Sequence, residues 1–375
     1  MKVMIAGGGT GGHLFPGIAL ADEVSTRHRR NRVVFVGTDR GLEARVVPAC
    51  GYALETIPVH GLKGVGLLRL LKGLLALPRA FLASWLLLRK HKPDVVVGVG
   101  GYASGPVVLA AWMQRVPTAV QEQNALPGLT NKILGLFVRA VFVSFEEAKA
   151  AFAPGKTQLV GNPVRRALLE NYLRSSVAHD RFELLVFGGS LGARGLNARV
   201  VEALALLKDL APSLHVTHQA GKADVEGVRR AYAEAGISAD VVEFIDDMSR
   251  AYALADLVVC RAGATTVAEL TVCKKAAVLV PFPHATDNHQ EVNARALVDT
   301  GAALMFRESE LSGEKLAEAI RALHGDPARR GQMEKKAGLL GRPEAAKEIA
   351  DALVQMMVDR WGPDGRTLPP EENAR

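Results

Sequence analysis

Lys2-Val3-Met4-Ile5-Ala6-Gly7-Gly8-Gly9-Thr10-Gly11-Gly12-His13 opens the chain, and Glu183-Leu184-Leu185-Val186-Phe187-Gly188-Gly189-Ser190-Leu191-Gly192 repeats its plan midway. In each, a short apolar run stops at a cluster of glycines, and helical spacing follows. A run of this kind reads as a parallel strand covered on both faces. The glycines let the backbone turn at once and approach a ligand closely. After the first loop a helix is predicted from about Pro16, with Ile18, Leu20, Ala21 and Val24 on one side; after the second, from about Arg194. Further strands are predicted over 33–36, 94–99, 116–120 and 140–143, then over 215–219, 241–244, 257–260 and 277–280. Short apolar strands alternating with helices give an α/β fold of two Rossmann-like, doubly wound parallel-sheet domains. Their boundary is expected at the turn-rich Gly161-Asn162-Pro163-Val164, giving domains 1–162 and 163–341 with a ligand cleft between them. A C-terminal helix over about 343–361, apolar at Ile349, Leu353, Met356 and Met357, is expected to pack back on the first domain. Residues 362–375, rich in proline and charge, read as a disordered tail.

The 375 residues suit two such domains, and 49% apolar with 23% charged residues describes a globular chain. Cys50, Cys260 and Cys273 form neither a CxxC pair nor a zinc spacing, which fits a reducing compartment. The first apolar run meets glycine too early for a signal peptide, and no stretch of about 18 apolar residues is present to span a membrane. Residues 1–162 hold 19 Lys/Arg against 9 Asp/Glu, a net of +10; the remainder holds 27 against 30, a net of −3. The positive half favours anionic lipid or phosphorylated ligands. With 5% aromatics and no basic tail, no nucleic-acid partner is expected.

Gly7-x-Gly9-x-x-Gly12 matches the dinucleotide fingerprint, with Asp39 after the second strand, so a nicotinamide or flavin enzyme is an alternative. Ala153-Pro154-Gly155-Lys156-Thr157 resembles the end of a P-loop, but alanine at 150 breaks the spacing. The densest signal is Arg261-Ala262-Gly263-Ala264-Thr265-Thr266-Val267-Ala268-Glu269, where small residues open a helix. Its unpaired amides and threonine hydroxyls suit a pyrophosphate, and Glu269, about one turn on, suits the two hydroxyls of a ribose. Glu243-Phe244-Ile245-Asp246-Asp247-Met248 offers backbone to a base edge, and the loop 281–290 offers amide and imidazole groups to a sugar. No Asp-x-Asp triplet is present to hold a cation on a diphosphate, so no metal is expected; the helix end, with Arg165 or Arg261, would offset the leaving-group charge.

These motifs, together with Gly100-Gly101-Tyr102-Ala103-Ser104-Gly105-Pro106, Glu122-Gln123-Asn124 and Gly161 through Arg165, resemble the bacterial lipid I N-acetylglucosaminyltransferase family of peptidoglycan synthesis. The resemblance runs from Met1 to about Leu353 and implies the glycosyltransferase-B fold. It implies inverting transfer of N-acetylglucosamine from UDP-N-acetylglucosamine to the C4 hydroxyl of lipid-linked muramyl-pentapeptide, with no cofactor. Donor contacts are implied at Thr10, Gly11, Gly12, Asn124, Arg165, Ser190, Ile245, Ala264, Thr265, Thr266, Val267, Ala268, Glu269 and Gln290. Ile245 would face uracil, Glu269 ribose and Gln290 the sugar. Gly101, Tyr102 and Asn131 would contact the acceptor, whose diphosphate would lie on the glycine loops of the first domain, Thr10–Gly12 included. The chain departs from the family at Gln121, often histidine, and at His289-Gln290, often a Gln-Gln pair.

Inversion requires a base on the attacking hydroxyl. His13 is the first candidate because imidazole titrates near neutral pH, and Glu122 is the second. Residues 62–92 carry Lys63, Arg69, Lys72, Arg79, Arg89, Lys90 and Lys92 with no acid among them. Pro78 is predicted to split this stretch into two helices. The segment reads either as core plus solvated cations or as a peripheral anchor on an anionic membrane surface. Placement on the cytoplasmic face of the inner membrane follows from the resemblance, along with possible contact to other cell-wall and division proteins. Competing readings are a related transferase or epimerase of the same fold, the nicotinamide oxidoreductase, and a silent nucleotide-binding regulator.

Overall fold

The computed structural model describes residues 1–59, 67–174, 179–189 and 192–366. They form two compact units, one of 1–165 with 344 onward and the other of 166–343. The chain thus changes unit at Arg165, and its last helix belongs to the first unit.

The first unit holds a seven-stranded parallel sheet: β1 (Lys2–Ala6), β2 (Arg32–Gly37), β3 (Ala53–Thr56), β4 (Val95–Gly98), β5 (Thr118–Glu122), β6 (Ala140–Val143) and β7 (Thr157–Leu159), in the order β3-β2-β1-β4-β5-β6-β7. The second holds six parallel strands: β8 (Phe182–Phe187), β9 (Leu214–Gln219), β10 (Ser238–Val242), β11 (Leu257–Cys260), β12 (Ala277–Leu279) and β13 (Ala303–Met305), in the order β10-β9-β8-β11-β12-β13. In each sheet the order reverses beside the first strand, and crevices for ligands lie at such switch points, outside the carboxyl ends of the strands. Ala6 pairs with Gly98 and Phe187 with Cys260, so the two loops at each switch point leave the sheet level with one another.

Helices cover both faces of the first sheet. On one, Leu14, Ile18 and Val24 of helix Gly11–Arg27 meet Ile349, Leu353 and Met356 of helix Ala345–Trp361. On the other, Ala80 and Leu88 of helix Leu67–His91 join Val107, Val108 and Ala111 of helix Ser104–Met113.

Several predicted elements differ from those observed. Helix Gly11–Arg27 starts at the glycines and runs through Pro16, which places His13 in its first turn. Leu67–His91 is one helix through Pro78, not two. Proline removes one backbone donor, and here burial of Ala80, Ser84 and Leu88 against the sheet side keeps the helix whole. The strand expected over 241–244 lies at 238–242, leaving Phe244 outside it and exposed. β3, β7 and β13, all edge strands, had no counterpart in the prediction. The expected tail stays attached as far as Arg366: its N–H donates to Asp94 Oδ1 and its guanidinium stacks on Trp361. Residues 367–375, Lys63 and Ser190 lie outside the described residues, as do the side chains of Arg69 and Lys72.

Leu353 is fully buried between helix Gly11–Arg27 and the sheet. Leu353→Ala is expected to cost about 2–5 kcal/mol in urea unfolding, because a buried leucine leaves a cavity as well as losing apolar contact.

Candidate active site

In the first unit the loops after β1 and β4 touch. Gly7, Gly8 and Gly9 have φ of 156°, 145° and 88°, and Gly100 and Gly101 have 91° and 81°. A Cβ on Gly7 would stand 2.5 Å from Gly100 O, and one on Gly101 would stand 2.4 Å from Gly8 O. Only glycine fits this crossing. The same crowding places the His13 ring against Gly100, where a Cβ would be 2.7 Å from Cδ2. His13 Nδ1 lies 3.1 Å from Thr10 Oγ1, a hydrogen bond whose donor depends on the tautomer. Thr10 precedes the helix without capping it by its side chain, so the first-turn amides of Gly11 and Gly12 are not taken by that hydroxyl. Tyr102 is exposed beside this loop, and Arg165 lays its guanidinium over the Phe15 ring at 5.4 Å.

Glu122 does something different from the base expected of it. Its carboxylate is 2% exposed and accepts from Asn124 N at 3.0 Å, Gly128 N at 3.1 Å and Asn131 Nδ2 at 2.9 Å. Burial pushes its pKa up while these donors pull it down, and the net shift is upward. A general base must reach its proton within hydrogen-bond distance, directly or through one water. An enclosed carboxylate that closes the 122–131 loop is a brace. Asn131 is likewise buried, turned onto Glu122 and the Gln121 carbonyl rather than outward. Gln121 and Gln123 form a buried amide chain to Asn162 and to Val99 O. Asn124 donates back to Glu122.

In the second unit, Gly263 lies at the cap of helix Ala264–Val272 with no side-chain cap, leaving the amides of the first turn without one. Thr265 Oγ1 is buried there with no hydrogen-bond partner among the described residues. Val267 and Ala264 face the core, and Thr266 and Ala268 are half-buried. Glu269 Oε2 accepts from the Tyr252 hydroxyl at 3.0 Å, which fixes that carboxylate from below; burial, then the Glu269 charge, hold the Tyr252 hydroxyl well above its usual pKa. Ile245 is buried after β10, in the loop that Asp247 ends by capping the next helix through Arg250 N. Gln290 Oε1 accepts from Phe282 N at 2.9 Å, which fixes the 281–290 loop, and Asp287 and Asn288 hold left-handed φ of 53° and 55° at its turn. Arg261 is not available to a diphosphate: it is 6% exposed, donates to Val280 O and Pro281 O, and pairs with Glu308.

Three groups important to the loops carry no motif. Glu43 lies beneath the first glycine loop, and Gln219 Nε2 donates to Gly189 O at 2.7 Å beneath the second. His218, fully buried, is 3.1 Å from both Tyr232 Oη and Asn197 Oδ1, while Asn197 Nδ2 donates to Ala220 O and Asp224. The alternation of apolar and polar residues in β9 was the one available signal: His218 falls where an apolar side chain belongs. Asp39, the acid of the dinucleotide reading, has a side chain 72% exposed and pairs only loosely with Arg40 at 3.7 Å. Among the described residues no cluster of three or more His, Cys, Asp or Glu side chains is arranged to hold a metal ion.

Two parallel-sheet units, each with a glycine loop at its switch point, have the glycosyltransferase-B architecture. The N-terminal domain model of glycosyltransferase family 28 matches residues 3–143, and its C-terminal domain model matches residues 183–352. The chain belongs to this family and is a glycosyltransferase. It is 70% identical over 372 residues, 99% of this chain and 97% of the relative, to the UDP-N-acetylglucosamine--N-acetylmuramyl-(pentapeptide) pyrophosphoryl-undecaprenol N-acetylglucosamine transferase of Myxococcus xanthus. It is 49% identical over 357 residues to the protein of that name from Geobacter metallireducens, covering 94% of this chain and 98% of the relative. Crystalline MurG of Acinetobacter baumannii superposes with a TM-score of 0.78 at 31% identity, covering 94% of this chain and 99% of that one. UDP-GlcNAc 2-epimerase of Neisseria meningitidis, at 14% identity and TM-score 0.68 over 95% of this chain and all of that one, shares the fold. Family membership sets aside the nicotinamide reading.

Burial lowers the His218 pKa to about 4, so the folded protein keeps this imidazole neutral where the unfolded chain would protonate it. Between the two values the unfolded state binds the extra proton, so stability present above about pH 6.5 is lost as pH falls toward about 4, by up to roughly 3 kcal/mol. Urea unfolding at about pH 7.5 and about pH 4.5 should show that loss in the wild type and a smaller one in His218→Gln.

Proposed function

We propose that this chain transfers N-acetylglucosamine, with inversion, from UDP-N-acetylglucosamine to the C4 hydroxyl of undecaprenyl-pyrophosphoryl-N-acetylmuramyl-pentapeptide, converting lipid I to lipid II in peptidoglycan synthesis. The observation that carries the reading is the 70% identity, over 99% of this chain, with the Myxococcus xanthus transferase of that name.

The donor lies on the second unit. Its diphosphate takes the first-turn amides of helix Ala264–Val272 and the Thr265 hydroxyl, which has no hydrogen-bond partner among the described residues. One helix end offers about 0.3–2 kcal/mol to a bound anion, and fixed donors contribute more as charge grows on the departing UDP. Glu269, held by Tyr252, receives the ribose hydroxyls. Uracil meets the backbone at Ile245, and the sugar meets Gln290. Ser190 completes the donor contacts on this unit, and Thr10–Gly12, Asn124 and Arg165 are the donor contacts proposed on the first unit. No bound cation is required in this scheme.

The acceptor lies on the first unit, its diphosphate on the glycine loops near Gly101 and Tyr102. His13 is the base. With the Nδ1 proton directed at Thr10 Oγ1, Nε2 is the basic nitrogen that removes the proton from the attacking hydroxyl. His13→Ala should lower kcat about 10²–10⁴-fold with little change in UDP affinity, measured by steady-state kinetics and calorimetry. An unchanged kcat would remove His13 from the mechanism.

We also propose peripheral binding at the cytoplasmic face of the inner membrane. Helices Leu67–His91 and Ser104–Met113 pack together, and Leu129–Leu134 packs on the second. Leu82, Leu86, Trp112, Met113, Leu129, Ile133 and Leu136 are exposed on them or just beyond, and the Trp112 and Phe137 rings meet at 4.9 Å. Arg79, Arg89 and Lys132 are exposed on the same helices. Exposed apolar side chains beside cations suit an anionic bilayer, where each Lys or Arg contributes about 1 kcal/mol. Co-sedimentation should be strong with anionic vesicles, weaker with neutral ones, and reduced by Leu82→Gln with Leu86→Gln. Equal binding to both vesicle types would count against the electrostatic part.

A further inference from the structure

Beneath the first glycine loop sits a carboxylate that neither the sequence motifs nor the reaction chemistry uses. Glu43 is 1% exposed. Its Oε2 accepts from Gly9 N at 2.8 Å; its Oε1 accepts from Thr38 N at 3.0 Å and from Thr38 Oγ1 at 2.7 Å. Glycines make room for it: a Cβ on Gly8, Gly37 or Gly41 would stand 2.4, 2.6 or 2.1 Å from its side chain.

The Gly9 bond fixes one peptide plane. With the Gly9 N–H turned inward to Glu43, the other end of that peptide, Gly8 C=O, is directed at Gly101, whose missing Cβ would lie 2.4 Å from the oxygen. The His13 ring in turn lies against Gly100. A single carboxylate therefore holds the Gly8–Gly9 peptide, which packs against the 100–101 loop that the imidazole also touches. The second unit braces its own loop with the opposite polarity, since the Gln219 amide donates to the Gly189 carbonyl. A carbonyl turned inward and an N–H turned inward leave different groups facing the ligand.

We propose that Glu43 is a positioning residue for the acceptor, acting through the Gly8–Gly9 peptide and His13 without touching substrate; the assignment of acceptor to this loop rests on the function proposed above. The charge state suits the task. Burial raises the Glu43 pKa, but the bonds from Gly9 and Thr38 outweigh it and the net shift is downward, so the group accepts at neutral pH.

Glu43→Gln separates this role from simple packing. Oε1 serves two donors, one of them the fixed Thr38 N–H, so the amide oxygen stays there and the NH₂ faces Gly9 N–H. Two donors then oppose each other, and the Gly8–Gly9 peptide flips or withdraws. Steady-state kinetics on the full chain should show kcat/KM for the lipid-linked acceptor reduced about tenfold or more, with UDP affinity by calorimetry within about twofold of wild type. Thr38→Val removes one bond to Oε1 but leaves Gly9 held, and should change kcat/KM less than about threefold. Hydrogen–deuterium exchange of the Gly9 amide should rise at least about tenfold in Glu43→Gln, with or without substrate. The proposal is overturned if that exchange is unchanged, if acceptor kinetics stay within about twofold of wild type, or if UDP affinity falls as far as acceptor kcat/KM does. A wild-type protein that transfers no sugar to this acceptor would instead overturn the substrate reading, with the exchange measurement still deciding the brace.

Discussion

Backbone amides can cradle an anion only if the peptide groups around them are held from behind. At the switch points of both sheets the chain must leave a strand and enter a helix within a few residues, through glycines at positive φ. Such a turn directs some N–H and C=O groups inward, where water does not satisfy them. Buried polar side chains do so instead. Glu43 takes the Gly9 N–H, Gln219 donates to the Gly189 C=O, and Glu122 takes the amides of Asn124 and Gly128. Removing any one leaves a backbone group unpaired inside the fold.

This arrangement explains a division of labour among the acids. Glu43 and Glu122 are both shielded from solvent, Glu122 the more deeply, and their pKa shifts run in opposite directions. Both are penalised by burial; at Glu43 the hydrogen bonds outweigh that penalty, and at Glu122 they do not. Neither is open to a substrate. Glu269 differs, being half-buried and held by the Tyr252 hydroxyl in the second turn of a helix whose first amides have no side-chain cap. Arg261 illustrates the same principle with the sign reversed. Its charge is spent within the protein on Glu308 and two carbonyls, joining the ends of β11 and β12.

The two units use one architecture with different chemistry around it. The first places an imidazole beside its loop and a cationic, apolar helix face on its outside. The second places threonines in the first turn of a helix and a carboxylate in its second.

The central strands were legible in the sequence because a strand buried on both faces must be apolar throughout, as in Val3–Ala6, Leu184–Phe187 and Leu257–Cys260. So were the glycine loops and the helix opening at Gly263, because backbone demands leave few residue choices. The edge strands β3, β7 and β13 and the placement of β10 were not, because an edge strand is half exposed and its sequence, such as Ala53-Leu54-Glu55-Thr56, carries no strict pattern. Pro78 misled for a related reason: local propensity argues for a break, and burial of one helix face, a tertiary fact, prevents it. Sequence also named Glu122, Asn131 and Arg261 by chemical type, but a carboxylate or guanidinium can brace as well as react. Only the fold decides which, because burial and the partners within hydrogen-bond reach come from residues far away in the chain. Glu43, invisible as a motif, became meaningful once folding brought Gly9 to within 2.8 Å of its carboxylate.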